Sequence, residues 1–180
     1  DYSRIMLTDS AEKISQKIPD LENIYVVPAF AGLGAPYWDM YSRGAIFGLT
    51  RDSGRGEIIK ATLESLAYQT KDVIDAMEED SNIKINSLKV DGGACMNNYL
   101  MQFQSDILNC EVTRPKIVES TAMGAGYLAG LKSDIWDISK IKSNQEIDST
   151  FSPQIKDERR NVLYDGWRDA VKRTFNWVKK

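Results

Sequence analysis

The chain has 180 residues, of which 42% are hydrophobic and 27% are charged, a composition that supports one folded domain with its own core. Its formal net charge of −3 argues against nucleic-acid binding, and no apolar run approaches the length of a membrane span. The absence of histidine and the presence of only two cysteines, Cys95 and Cys110, exclude imidazole-based catalysis, histidine metal ligands and a disulfide framework.

The first residues read as the end of a connection to a preceding domain. The sequence starts at Asp1 without a methionine, and residues 1–23 are typical of a helical remnant followed by a polar connector. Residues 10–18 (SAEKISQKI) place apolar side chains at helical spacing, which predicts a short amphipathic helix. We therefore expect the chain to be a piece of a longer protein, with a domain boundary near residue 23.

Two short strands with an aromatic loop between them are predicted next. Residues 24–30 (IYVVPAF) favour a strand, and Pro28 places it at a sheet edge or at the end of the strand. Residues 44–49 (GAIFGL) predict a second short strand flanked by glycines. The loop in between carries three aromatic side chains that we expect to be partly exposed: Tyr37, Trp38 and Tyr41.

Residues 56–79 predict the strongest helix. Its apolar residues follow a helical stripe that we expect to face the core: Ile59, Leu63, Leu66, Val73, Ile74 and Met77. The glycine-rich residues 53–56 (SGRG) before it could bind an anion together with Arg51 and Arg55. They lack the Lys-Ser/Thr ending of a P-loop, so a flexible turn before a capped helix is favoured. Glu64, inside the helix, is either a carboxylate at the edge of the core or a contact between domains.

A strand at 85–93 is predicted to end in the turn DGGA (91–94), with a helix over 97–109. Glycine lets backbone N–H groups approach a phosphate without interference from a Cβ atom, and ligands of open α/β sheets bind beyond the carboxyl ends of strands. The turn could therefore bind a phosphorylated ligand, with Asn97 near a base or ribose. The alternative is a tight strand-to-helix turn capped by Asn97, and DGG alone favours this alternative.

The remaining residues predict one more strand and two more helices. Residues 111–115 (EVTRP) predict a short strand closed by Pro115. Residues 120–131 predict a helix rich in small residues, capped by Ser120 or Thr121 and closed by Gly130, that either packs flat on a neighbour or backs a nucleotide pocket. A polar loop is expected over 138–156. An amphipathic helix is expected over 157–178, with these residues inward: Val162, Trp167, Val171, Phe175 and Trp177 or Val178. The alternation of strands and helices favours an α/β sheet with crossover helices.

Several of these stretches together form one long spaced pattern. Its first part has fixed glycine and helix positions: Gly44, Ile46, Gly48, Leu49, Glu57, Ile58, Ala61, Thr62, Leu63 and Glu64. Its second part consists of VDGGACMNNYLMQFQSDIL, then VTRP, then STAMGAGYLAG, in that order. This pattern resembles the FGGY family of carbohydrate kinases, and the similarity covers roughly residues 24–178.

The resemblance implies an actin-like, ribonuclease H-like α/β fold with a mixed sheet flanked by helices, in which two domains close around a cleft. It implies that residues 24–180 are the C-terminal, nucleotide-side domain. Carried over to this sequence, Gly93 contacts ATP or ADP, Gly92 and Ala94 shape the turn, and Asn97 lies beside the adenosine. The catalytic Asp, the polyol-binding residues and most of the Mg²⁺ contacts are expected in the N-terminal domain, outside this chain.

Within the family, residues 26–51 and 100–108 resemble the members that phosphorylate glycerol. The implied reaction is transfer of the γ-phosphoryl group of ATP to glycerol, which this chain alone is expected not to catalyse. The expected partners are the N-terminal domain and further copies of the protein, and the expected location is the cytoplasm. Two alternatives stay open: the same domain of a kinase for another polyol or sugar, and a non-catalytic actin-like binding module.

Overall fold

The computed structural model describes residues 9–20, 23–143 and 146–179 and forms helices and strands in alternation over most of them. In chain order the elements are α1 (Asp9–Lys17), β1 (Tyr25–Val27), β2 (Ala45–Phe47), α2 (Arg55–Ser81), β3 (Ser87–Lys89), a 3₁₀ turn (Gly93–Met96), α3 (Asn98–Leu108), β4 (Glu111–Pro115), α4 (Ser120–Lys132), α5 (Ile138–Ser143), β5 (Ile147–Phe151) and α6 (Asp157–Lys172). The predicted α/β class is confirmed.

The strands form two small sheets. Strands β1 and β2 pair antiparallel, and β1 ends at Val27, immediately before Pro28, which has no N–H to donate. The second sheet has the order β3-β4-β5, with β3 parallel to β4 and β4 antiparallel to β5, so it is mixed. Helix α3 connects the two parallel strands β3 and β4 as a crossover.

The main core lies where α2, α3 and α6 meet β1. Its centre is Trp167, which is fully buried and stacks on Tyr68 with ring centroids 5.3 Å apart. Val27 and Ile107 close the same cluster. Helix α1, predicted over 10–18, also belongs to the packed structure, because Ala11 is buried against α2. The domain boundary near residue 23 stays a prediction.

The expectation of a loop over 138–156 is wrong. Helix α5 and strand β5 lie there, and β5 pairs with β4 through the partners Val112 and Phe151 and Thr113 and Thr150. The β5 sequence, IDSTF, has a half-buried and exposed pattern with no buried position. Backbone pairing with β4, rather than burial of apolar side chains, therefore forms this strand, and the hydrophobic pattern gave no indication of it.

Two predicted apolar stripes are wrong in part. On α2, Val73 is 38% exposed and Met77 is 52% exposed. In the predicted helix over 157–178, Val162, Trp177 and Val178 are exposed, and the helix ends at Lys172. The buried face of α2 instead carries several polar residues: Lys60, Thr62, Glu64, Ser65 and Asp72. Lys60 shows how such a group is tolerated, since its ammonium donates to the carbonyls of Ile18 and Pro19 at 2.9 and 3.1 Å.

The predicted range of α4, 120–131, agrees with the observed Ser120–Lys132, but both predicted caps are wrong. The residue before the helix is Glu119, and the Ser120 hydroxyl donates to the Asp91 carboxylate instead of capping the helix. Gly130 lies inside the helix, where an added Cβ would be 2.4 Å from Cε3 of Trp136. This glycine therefore makes room for an aromatic ring and does not terminate the helix. In the part of the chain that the structure describes, no helix has both the length and the apolar character of a membrane span.

Candidate nucleotide-binding site

The strand-to-helix turn after β3 requires a glycine at position 92. Gly92 has φ +76° and ψ 172°, a conformation that side chains rarely adopt, and its N–H donates to the carbonyl of Val118 at 2.7 Å. Two residues earlier, the Val90 N–H donates to the carbonyl of Thr113 at 3.1 Å. The tight-turn interpretation of DGG is thereby confirmed for Gly92.

Gly93 is different, because nothing among the residues that the structure describes explains why it is a glycine. Its φ lies outside the left-handed region, and a Cβ added to it would meet no atom within 4 Å. It begins the 3₁₀ turn with an exposed backbone. The adjacent Ala94 is half-buried against the second core cluster, and burial raises the pKa of the Cys95 thiol, as expected of an unreactive cysteine. The turn thus leaves bare main chain facing open space at Gly93.

Asn97 caps helix α3. Its side-chain oxygen Oδ1 accepts a hydrogen bond from the Leu100 N–H at 2.9 Å, as an N-cap does. The side chain is 7% exposed, and its amide Nδ2 has no hydrogen-bond partner within residues 9–20, 23–143 and 146–179. A buried amide nitrogen without a partner is unusual and calls for an explanation. The cap accounts for the side-chain oxygen Oδ1 and leaves the amide nitrogen Nδ2 available.

A cleft of about 920 Å³ lies beside this turn, beyond the carboxyl ends of β3 and β4. Its volume falls in the range of small-molecule pockets. Its polar lining includes Lys89, Asp91, Thr113, Lys116 and Ser120. Its opposite wall is aromatic, since the rings of Tyr127 and Trp136 meet edge to face with centroids 5.4 Å apart. Such a cleft can accept a ligand with both polar and flat aromatic parts.

None of the four predicted site residues lines this cleft. The link to it is Asp91, which lines the cleft and is joined directly to Gly92 at the start of the turn. The prediction missed the cleft itself. The position of Pro115 at the end of β4 and that of α4 shortly after it were the available signals, and the possibility that α4 backs a pocket is the one that fits this geometry.

Two other stretches that we considered as sites have structural roles. At residues 53–56, the Glu57 carboxylate accepts from the Gly54 N–H at 2.9 Å, which confirms a turn before a capped helix. Glu64 lies within the core, where the Tyr99 hydroxyl donates to it at 2.5 Å. Burial raises the Glu64 pKa to about 7, and the Tyr99 bond and the Lys60 charge oppose that rise.

Comparison with known proteins relates this arrangement to one family. The model of the C-terminal domain of the FGGY family of carbohydrate kinases matches residues 5–133. The chain is 56% identical over 173 residues to a glycerol kinase of Alkaliphilus oremlandii, and this match covers 96% of the chain and 34% of the relative. It is 55% identical over 175 residues to a glycerol kinase of Fusobacterium nucleatum subsp. nucleatum, covering 96% of the chain and 35% of the relative.

Solved structures show the same fold. A crystal structure of Plasmodium falciparum glycerol kinase with ADP superposes with a TM-score of 0.84 at 35% identity, over 96% of this chain and 35% of that one. Gluconate kinase from Lactobacillus acidophilus superposes with a TM-score of 0.72 at 21% identity, over 96% of this chain and 36% of that one, a likeness of fold alone. The predicted actin-like, ribonuclease H-like architecture is confirmed. The chain spans about a third of the length of the curated relatives that it matches.

Proposed function

Because the chain belongs to the FGGY family of carbohydrate kinases, as its C-terminal domain, we propose that it is the nucleotide-side domain of a glycerol kinase. The intact enzyme transfers the γ-phosphoryl group of ATP to glycerol and yields sn-glycerol 3-phosphate. The observation that carries this proposal is the identity of 56% with a glycerol kinase over 96% of the chain. Gluconate and xylulose kinases share the fold at 21% identity, so they give no comparable support for another substrate.

The proposal divides the work between two domains. Residues 1–23 form the connector and residues 24–180 provide the adenosine side of the cleft. The preceding domain supplies the glycerol site and an Asp general base, which removes the proton of the attacking hydroxyl. We also place the Mg²⁺ contacts mainly in the preceding domain. This chain alone is therefore expected to be inactive.

Within this chain, we propose that the main chain at Gly93 contacts the nucleotide, that Gly92 and Ala94 shape the turn, and that Asn97 lies beside the adenosine. Two observations support these roles. Gly93 has no steric reason of its own to lack a side chain, and the Nδ2 of Asn97 is a buried donor without a partner. A nucleotide next to the turn accounts for both, because it fills the space over Gly93 and can bring an acceptor within reach of that amide.

Replacing Gly93 by valine tests the contact. The new side chain has free space in this chain, so we expect the melting temperature to change little. It occupies the space assigned to ATP, so we expect the KM for ATP to rise about tenfold or more, equivalent to about 1.4 kcal/mol of binding energy, with the KM for glycerol unchanged. Steady-state kinetics of the full-length protein that contains this chain, with each substrate varied in turn, provides the measurement.

The matched control is Gly34→Val, a second exposed glycine outside the left-handed region whose added Cβ meets no atom within 4 Å. It lies in the loop between β1 and β2, away from the turn, and should leave the affinity for ADP unchanged. Equal ADP affinities of the Gly93→Val variant and the starting protein, measured by calorimetry, would remove Gly93 from the site.

The substrate and the surroundings of the protein need separate tests. Rates of ADP formation with glycerol, xylulose, gluconate and rhamnulose decide whether glycerol is the substrate, and a preference for any other compound would overturn that assignment.

We place the enzyme in the cytoplasm. We also expect copies to self-associate, since Trp38 is 79% exposed in the loop between β1 and β2, whereas Tyr37 packs on Phe175. Light scattering across a dilution series tests this expectation.

A further inference from the structure

A buried arginine connects the turn to the sheet. Arg114, on β4, is 6% exposed, and its Nη1 donates to the Cys95 carbonyl at 2.8 Å and to Oδ1 of Asn98 at 2.9 Å. Cys95 belongs to the 3₁₀ turn that contains Gly93, and Asn98 directly follows Asn97. One nitrogen of one side chain therefore holds both the turn and the start of α3.

The other side of the same guanidinium is held by β5. Nε donates to Oδ2 of Asp148 at 2.8 Å, and Nη2 lies 2.7 Å from the same oxygen and donates to the Ser149 hydroxyl at 3.1 Å. Hydrogen bonds from Ser149 and Arg114 hold the pKa of Asp148 below its usual value. The pairing of Arg114 with Ser149 across the sheet brings this carboxylate into place. The bonds to Asp148 and Ser149 thus fix the planar guanidinium on its β5 side, while Nη1 bonds to the turn.

This arrangement differs from an ordinary surface ion pair. The guanidinium is buried, and all three of its nitrogens have partners from two separate segments of the chain, which is how a buried cation is tolerated. The glycine pair has a separate bond, which the Gly92 N–H donates to the Val118 carbonyl in the loop between β4 and α4. Without Arg114 the 3₁₀ turn would keep its end at Gly92 but lose the bond at Cys95.

We propose that Arg114 is a positioning residue for the nucleotide turn: it does not touch ATP, but it sets the orientation of the main chain at Gly93 and of the cap at Asn97. This inference rests on the proposed function. Lysine keeps the charge but presents one nitrogen, which cannot reach the turn and β5 in the same planar geometry. Since a small displacement of a binding group is enough to reduce affinity strongly, the effect should appear in nucleotide binding rather than in glycerol binding.

The test is Arg114→Lys in the full-length protein, compared with Arg160→Lys. Arg160 is an equally suitable control, because it is 7% exposed and its guanidinium donates to the carbonyls of Asp106 and Ile155 and to the Asp157 carboxylate, none of which belongs to the turn. We expect both variants to lower the melting temperature. Only Arg114→Lys should raise the Kd for ADP, measured by calorimetry, by about tenfold, and the KM for ATP with it, while the KM for glycerol stays constant.

The outcomes separate the two proposals. A starting protein that binds no ADP would contradict the proposed function. ADP binding in the starting protein with the same Kd in both lysine variants would overturn the role of Arg114 alone. Should Arg114→Lys fail to fold, Asp148→Asn decides, because it retains the arginine and removes the charge that orients it. An unchanged Kd for ADP in that folded variant overturns the inference, and an increase of several-fold supports it.

Discussion

Replacing Trp167 by alanine is expected to lower the free energy of unfolding by about 3–5 kcal/mol, the range for removal of a large buried aromatic side chain. Trp167 is fully buried, stacks on Tyr68 and packs against residues of β1, α2 and α3. Its indole Nε1–H also donates to Oδ2 of Asp72 at 2.8 Å. The substitution therefore opens a cavity at the junction of these elements and removes one of the donors that stabilise a buried carboxylate.

Trp177→Ala is the matched control. Trp177 follows α6 and is 69% exposed, so its removal should change the free energy of unfolding by no more than about 0.5 kcal/mol. Trp167→Phe separates the two contributions, because it keeps a stacked ring but removes the donor to Asp72, and we expect an intermediate loss of about 1–3 kcal/mol. Urea unfolding followed by circular dichroism measures all three. Equal stabilities of the Trp167→Ala and Trp177→Ala variants would contradict the location of the core.

Trp167 was predicted to face the core, as was either Trp177 or Val178, and the outcome shows what helical periodicity can establish. The pattern over 157–178 identified Trp167 and Val171, which are fully buried. It could not show that α6 ends at Lys172, after which the chain turns and Trp177 leaves the packed face. The same applies to Met77 on α2, since periodicity gives the direction of a side chain but not how far along a helix its neighbours extend.

The elements with strong local signals were predicted within a few residues, whereas β5, which has no apolar pattern of its own, was not. Helix α2 was expected over 56–79 and lies over Arg55–Ser81, since its length and apolar stripe are local properties. Strand β5 carries polar residues on an accessible part of the sheet, so its position depends on pairing with β4. Thr113 pairs with Thr150 and Arg114 with Ser149, partners that lie far apart along the chain and that no local pattern connects.

The site divides in the same way. The glycine pair and the cap were predicted from the sequence, because a positive φ at Gly92 and an N-cap at Asn97 are determined by neighbouring residues. The cleft and the Arg114 connection were not predicted. The cleft joins residues of β4, α4 and β5, and the Arg114 connection joins β4 with the 3₁₀ turn, α3 and β5. These segments are far apart along the chain, and their proximity depends on the complete fold.

Replacing Glu64 by glutamine is expected to stabilise the protein at neutral pH and to have little effect near pH 4.5. Burial raises the pKa of Glu64 from its ordinary value of 4.5 to about 7 in the folded chain. Between these two pH values the folded protein keeps the proton that the unfolded chain releases, so the free energy of unfolding falls as the pH rises. The two pKa values correspond to a loss of about 3 kcal/mol, which is complete above pH 7 and absent below pH 4.5.

Glutamine cannot ionise, yet its side-chain oxygen can still accept the hydrogen bond from the Tyr99 hydroxyl. The difference in stability between the Glu64→Gln variant and the starting protein should therefore grow from pH 4.5 to pH 7 and then level off. Burial also raises the pKa of Asp72, but that contribution is present in both proteins and cancels in the difference. Urea unfolding at a series of pH values gives the curve. Glu79→Gln, on the exposed side of the same helix, is the matched control. A difference for Glu64→Gln that does not depend on pH would contradict a raised pKa of Glu64.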